Sequence, residues 1–130
     1  MTSRDTVLAF WDAMKTNDFA EASKWLSKDF ECFWPQSGEV IIGRENFVAV
    51  NAYYPANGNW QFDINSIVCE GNSAVTDVSI TDGVQIARAI TFHTVENGLI
   101  TNQTEFWPDE MAAQEWRAKW VKIVGKLART

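Results

Sequence analysis

Between Asp5 and Lys15 the apolar residues fall at Val7, Leu8, Phe10, Trp11 and Met14, the spacing of one stripe along an α-helix, with Thr2 or Ser3 ahead of them as N-cap. Asn17-Asp18 reads as a break and a new cap, after which Phe19, Ala22, Trp25 and Leu26 repeat the helical spacing. Phe30–Trp34 and Glu39–Ile42 are short strand-like runs separated by Pro35 and the turn Gln36-Ser37-Gly38. A third helical pattern opens at Gly43, carries Phe47, Val50 and Tyr54, and stops before Pro55, which disfavours α geometry in the residue preceding it. From Trp60 to Trp107 the chain is strand and turn: Trp60–Glu70, Ser73–Thr81, Val84–Val95 and Leu99–Trp107, punctuated by Gly71-Asn72, Asp82-Gly83 and Glu96-Asn97-Gly98. Connections this short force an antiparallel meander. Beyond Pro108, residues Trp116, Trp120, Ile123, Val124 and Leu127 form the stripe of a last helix.

Helices gathered first and strands gathered later predict an α+β fold, with the leading helices covering one face of the meander. With 130 residues, no internal repeat and no linker-like stretch, the chain is expected to be a single domain, its core at 4–109 and a helical extension at 110–130. Seven Trp, eight Phe and two Tyr exceed what a small core requires, and rings that cannot all interdigitate tend to wall a cavity.

The net charge of −6 argues against nucleic acid as a partner. It is unevenly spread: residues 111–130 hold five basic groups against Glu115, which suits the C-terminal end of a helix or a solvated face. No apolar run approaches the length of a membrane span, and no secretory signal precedes Asp5, so a cytoplasmic protein without a membrane partner is expected. Cys32 and Cys69 lack His or Cys neighbours at metal-ligand spacing and are read as free thiols. No metal site, phosphate loop or nucleophile elbow is present as a motif, and no cofactor is expected.

The order helix, helix, short strands, helix, long meander, with Glu96-Asn-Gly-Leu-Ile100 followed by Thr104-Glu-Phe-Trp-Pro-Asp109, resembles the SnoaL-like, polyketide cyclase-like branch of the nuclear transport factor 2-like superfamily. The resemblance implies a cystatin-like cone: a curved, largely antiparallel mixed sheet around a deep pocket, closed by three N-terminal helices. Cyclases, isomerases, epoxide hydrolase-like enzymes and pure binding or dimerisation modules share that fold, so the fold leaves the function open.

Register decides which side chains face such a pocket. A type I turn at Val95–Gly98 with a Gly98 bulge pairs Thr91 with Gln103 and Ala89 with Glu105; a two-residue Asn-Gly turn is expected to pair the strands differently and to break the shared face that follows from the first. In the first case Ala87, Ala89, Thr91, His93, Thr101, Gln103, Glu105 and Trp107 share the pocket face. Ile86, Ile90, Phe92, Ile100 and Phe106 then form an apolar outer face suited to a homodimer. Glu105 is the leading candidate for a general acid or base, because the resemblance places it where cyclases carry an acid and a sheltered carboxyl has a raised pKa. The plain alternative is an exposed Glu105, or one paired with Arg88. Asp77 roughly matches a second acidic position of the epoxide hydrolase-like members, but the Arg those enzymes carry two residues earlier is Val75 here; a solvated-face Asp77 is the competing reading. His93, the single His, is a candidate base or a structural imidazole. Trp34, Phe47, Tyr53, Tyr54, Trp60, Thr91, Gln103 and Trp107 are the expected ligand contacts. Two functions follow: a module that binds a small, largely apolar organic molecule, or a cofactor-free isomerase, cyclase or hydrolase using Glu105.

Overall fold

The computed structural model describes residues 1–126. In chain order they form α1 (Ser3–Lys15), α2 (Phe19–Ser23), β1 (Leu26–Trp34), β2 (Glu39–Ile42), α3 (Gly43–Tyr53), β3 (Gln61–Glu70), β4 (Ser73–Thr81), β5 (Ile86–Glu96) and β6 (Leu99–Phe106). Thr2 proves to be the N-cap of α1: its hydroxyl accepts from the Asp5 N–H and the Asp5 carboxylate accepts from the Thr2 N–H, both at 3.1 Å, closing a reciprocal capping box. Asn17 takes up positive φ of 63° after α1, and its side chain exchanges two 2.7 Å hydrogen bonds with the backbone of Trp60. That bond pair ties the end of α1 to the start of β3.

The six strands make one curved sheet in the order β2-β1-β6-β5-β4-β3. β3 to β6 are the expected antiparallel meander, and β2 pairs antiparallel with β1. β1 lies parallel to β6, so the sheet is mixed. It also starts earlier than the aromatic run from Phe30 suggests, at Leu26. Val7, Phe10, Trp11 and Met14 of α1 pack onto the inner face against Phe30, Val78, Ala89 and Ile100, all buried. Phe47 joins them from α3, with its ring 5.9 Å from Phe10 and 5.8 Å from Phe30.

The β5–β6 turn departs from the expected type I turn. Asn97 and Gly98 both have positive φ, 53° and 76°, which marks a two-residue hairpin turn. Glu96 therefore pairs with Leu99, and Thr91 with Glu105 rather than with Gln103. A bulge between Thr94 and Val95's partners restores the parity: Val95 faces Ile100, Thr94 faces Asn102, and Thr101 is the extra residue. Thr91, His93, Gln103 and Glu105 consequently remain on the inner face. Ile100, expected outside, is fully buried on the inner side, because it precedes the bulge.

The predicted last helix does not form as read. Glu115–Trp120 is one 3-10 helix with no buried residue, 121–126 are non-helical, and Leu127 lies outside the described residues. Trp116 and Trp120 are exposed, each with a neighbouring cation, Arg117 and Lys119, near its ring. Among the described residues no helix is long and apolar enough to cross a membrane.

Candidate functional site

Three adjacent strands build the site as a row. Thr104 of β6 pairs with Phe33 of β1, which puts Trp34 beside Glu105, and Glu105 pairs directly across to Thr91 of β5. All three side chains point inward. The Trp34 indole donates to Glu105 Oε1 at 3.0 Å, and the Thr91 hydroxyl donates to Oε2 at 2.7 Å. Glu105 is only 8% exposed. Burial in this apolar surrounding pushes its pKa up, while the hydrogen bonds from Thr91, Trp34 and Trp107 pull the other way. Burial prevails.

The free space has two parts. An outer cavity of about 460 Å³ is walled by Trp34, Tyr54, Trp60, Phe62, Ile80 and Trp107, with Arg88, Asp109 and Glu110 also on its lining. An inner recess of about 50 Å³ is lined by Gln103 and Glu105 together with Phe10, Met14, Cys32 and Phe47. Trp34, Asn51, Phe62, Ile80 and Trp107 belong to both linings, so the recess adjoins the cavity, and Glu105 lies on the lining of the recess. Two T-shaped aromatic pairs stiffen the walls: Trp34 with Trp107 at 6.4 Å and Tyr54 with Trp60 at 5.7 Å. At the rim Gln36 clamps Trp107, its Oε1 accepting from the Trp107 N–H at 2.5 Å and its Nε2 donating to the Trp107 carbonyl at 3.0 Å.

A second buried polar row runs beside the first. Cys32, Gln103, His93 and Ala74 are successive cross-strand partners on β1, β6, β5 and β4. His93 Nδ1 stands 3.1 Å from Gln103 Nε2, and its Nε2 stands 2.8 Å from Thr76 Oγ1, which also accepts from the Trp11 indole at 3.2 Å. Burial lowers the His93 pKa to about 3, so the ring is neutral at ordinary pH. The Cys32 thiol, also buried, is pushed up and stays protonated.

Several expected site residues stand apart from Glu105. Asp77 lies on the outer face, where Arg88 grips it through Nε at 2.7 Å and Nη2 at 2.6 Å and Asn65 adds a contact at 3.4 Å. Its carboxyl is accordingly held below the usual range. The alternation of β4 explains this: Ala74, Thr76, Val78 and Ile80 are buried, which turns the odd positions outward. Arg88 therefore pairs with Asp77 and not with Glu105. Tyr53 is 86% exposed and lines neither space, whereas Tyr54 stands at the cavity wall. Phe47 is core and lines only the recess, and Thr91 and His93 act behind the surface, through Glu105 and Gln103. Trp34, Trp60, Gln103 and Trp107 line the cavity or the recess.

Asn51, Phe62 and Ile80 are lining residues that the sequence reading did not single out. Asn51 is one helical turn beyond Phe47 and so shares its face, and Ile80 has the inward parity of Thr76; both signals were present. Among the described residues no group of three or more His, Cys, Asp or Glu could hold a metal ion.

A curved six-stranded mixed sheet packed against helices is the architecture of the nuclear transport factor 2-like class. The SnoaL-like domain family matches residues 7–103, and the chain belongs to that family. An NTF-2 like protein of unknown function from Burkholderia xenovorans LB400 is 31% identical, with TM-score 0.77 and 95% of each chain covered. A candidate ketosteroid isomerase from Kribbella flavida DSM 17836 is 28% identical, with TM-score 0.86, covering 95% of this chain and 90% of that one. A candidate SnoaL-like polyketide cyclase from Jannaschia sp. CCS1 shares the fold at 16% identity and TM-score 0.67, covering 81% and 84%. No curated protein matches in sequence.

Proposed function

We propose that this chain binds a small, largely apolar organic molecule whose body fills the outer cavity and whose polar tip reaches Glu105. The observation that carries the reading is a buried carboxyl, held by Trp34 and Thr91, on a recess that adjoins an aromatic-walled cavity. A volume of about 460 Å³ suits a ligand of two or three fused rings. The recess of about 50 Å³ has room for little more than one polar group.

Binding without turnover is better supported than proton-transfer catalysis. A carboxyl working as acid in one step and base in the next gains from a second titratable group at the substrate. Asp77 faces away, His93 is sealed behind Gln103, and Glu105 is the one carboxyl among the described residues on the recess lining. The reading extends to a homodimer through the outer sheet face. It also extends to a cytoplasmic setting, which the two free thiols suit.

Titration with 2-acetonaphthone, followed by quenching of the cavity tryptophans, tests the proposal. Saturable quenching that weakens roughly tenfold in Glu105→Leu supports it, since one buried hydrogen bond is worth about 1–1.5 kcal/mol. Equal affinity in wild type and variant, or no saturation, overturns it. Exchange of the ketone's methyl protons with deuterated solvent, lost in Glu105→Gln, would instead establish the enzyme.

A further inference from the structure

Gln103 is 3% exposed, yet its amide is only half used. Its Nε2 faces His93 Nδ1, and among the described residues no partner reaches its Oε1. Ser27 Oγ is the one side-chain polar atom among them that is both fully enclosed and unpartnered, so Gln103 Oε1 must open onto free space. The space that Gln103 lines is the inner recess, which it shares with Glu105 two residues along the same strand face.

The placement of the amide sets the polarity of the chain behind it. With Gln103 Nε2 donating to His93 Nδ1, the ring carries its proton on Nε2, which donates to Thr76 Oγ1, an oxygen that also accepts from the Trp11 indole. The same placement turns the Gln103 carbonyl oxygen toward the recess. A ligand donor that reaches this oxygen adds one hydrogen bond in a sheltered place.

We propose that Gln103 and Glu105 together select a neutral tip carrying a hydrogen-bond acceptor beside a donor, as in a carboxamide or an α-hydroxy ketone. The acceptor takes the Glu105 proton and the donor meets Gln103 Oε1. A carboxylate tip is rejected, because it brings a second anion to Glu105 and only lone pairs to Gln103. This inference rests on the pocket reading above and names the class of ligand within it.

The test uses three probes with one ring system: 2-naphthamide, 2-acetonaphthone and 2-naphthylmethylamine, titrated against the full chain by tryptophan quenching. The amide binds roughly tenfold more tightly than the ketone, by one further hydrogen bond. Gln103→Met removes that advantage, so that amide and ketone bind the variant alike. Amide and ketone binding alike in the wild type overturns the inference while the pocket reading stands. The amine binding most tightly also overturns it, in favour of an ionised Glu105 that recognises ammonium. If no probe saturates, both readings fall. The wild-type series decides the matter even where Gln103→Met does not fold.

Discussion

Two buried titratable side chains of the inner face respond to pH in opposite directions. Glu105 has a folded pKa above its unfolded one, so in the window above the ordinary value of 4.5 the folded state binds more protons than the unfolded. Stability is then complete below that value and declines as pH rises toward the folded pKa, by about 1.4 kcal/mol for each unit of elevation. Glu105→Gln keeps an acceptor for the Trp34 indole and has no charge to bury. Thermal melts between pH 5 and 9 should show the variant gaining on the wild type as pH rises; a constant gap would mean that Glu105 titrates normally. His93 has the reverse sign. Its folded pKa of about 3 lies below the usual 6.5, so its contribution is complete above 6.5 and is lost as pH falls. At pH 5 the loss reaches up to about 2 kcal/mol, and His93→Gln should flatten that part of the acid limb in a urea-denaturation series. Both inward positions were legible in the sequence, but the environments that shift them were not. Alternation along β5 and β6 places Thr91, His93, Gln103 and Glu105 on one face, whereas the bonds to Trp34, Thr76 and Trp11 join side chains as many as 71 and 65 positions apart.

The hairpin of β5 and β6 shows how an expected face can survive an unexpected register. A type I turn with a glycine bulge and a two-residue turn followed by a bulge at Thr101 each add one residue, so both leave Gln103 and Glu105 inward. The expected pairing of Thr91 with Gln103 fails, because turn type depends on a backbone choice that Asn97-Gly98 permits either way. Helix limits were easier, since capping chemistry is local. Thr2→Ala removes the half of the box made by the hydroxyl, leaving the Thr2 N–H to Asp5 bond available, and should cost α1 about 1 kcal/mol in denaturant unfolding. Phe10→Ala, which removes the ring that meets Phe47 of α3 and the neighbouring Trp11, should cost about 3–5 kcal/mol. The cavity rim was the least legible part. Asp82 accepts from the N–H groups of Asn57, Val84 and Gln85, at 2.8, 2.9 and 2.7 Å, and so ties the segment after Pro55 to the β4–β5 turn. Nothing in the local pattern of either loop announces the other.

The outer face of the sheet carries a row of mainly apolar side chains that crosses all six strands. Val68 pairs with Val75, Val75 with Phe92, Phe92 with Thr104, Thr104 with Phe33, and Phe33 with Val40. Phe33, Val40, Val68 and Phe92 are each more than 40% exposed, and the Phe92 ring meets Phe106 edge-on at 6.2 Å. An exposed apolar row of this kind suits the self-complementary contact between two copies proposed above. The aromatic Phe92 lies near the middle of the row, where truncation of an interface is most costly. Phe92→Glu would place two carboxylates opposite each other at a two-fold contact. The expected outcome is a dimer in sedimentation of the wild type at micromolar concentration and a monomer for Phe92→Glu, with 2-acetonaphthone affinity retained because residue 92 points away from the recess. A wild-type monomer would leave the row without the partner assigned to it. A dimer that survives Phe92→Glu would move the contact elsewhere, and the segment bearing Trp116 and Trp120, exposed and basic beside an acidic body, would be the next surface to examine.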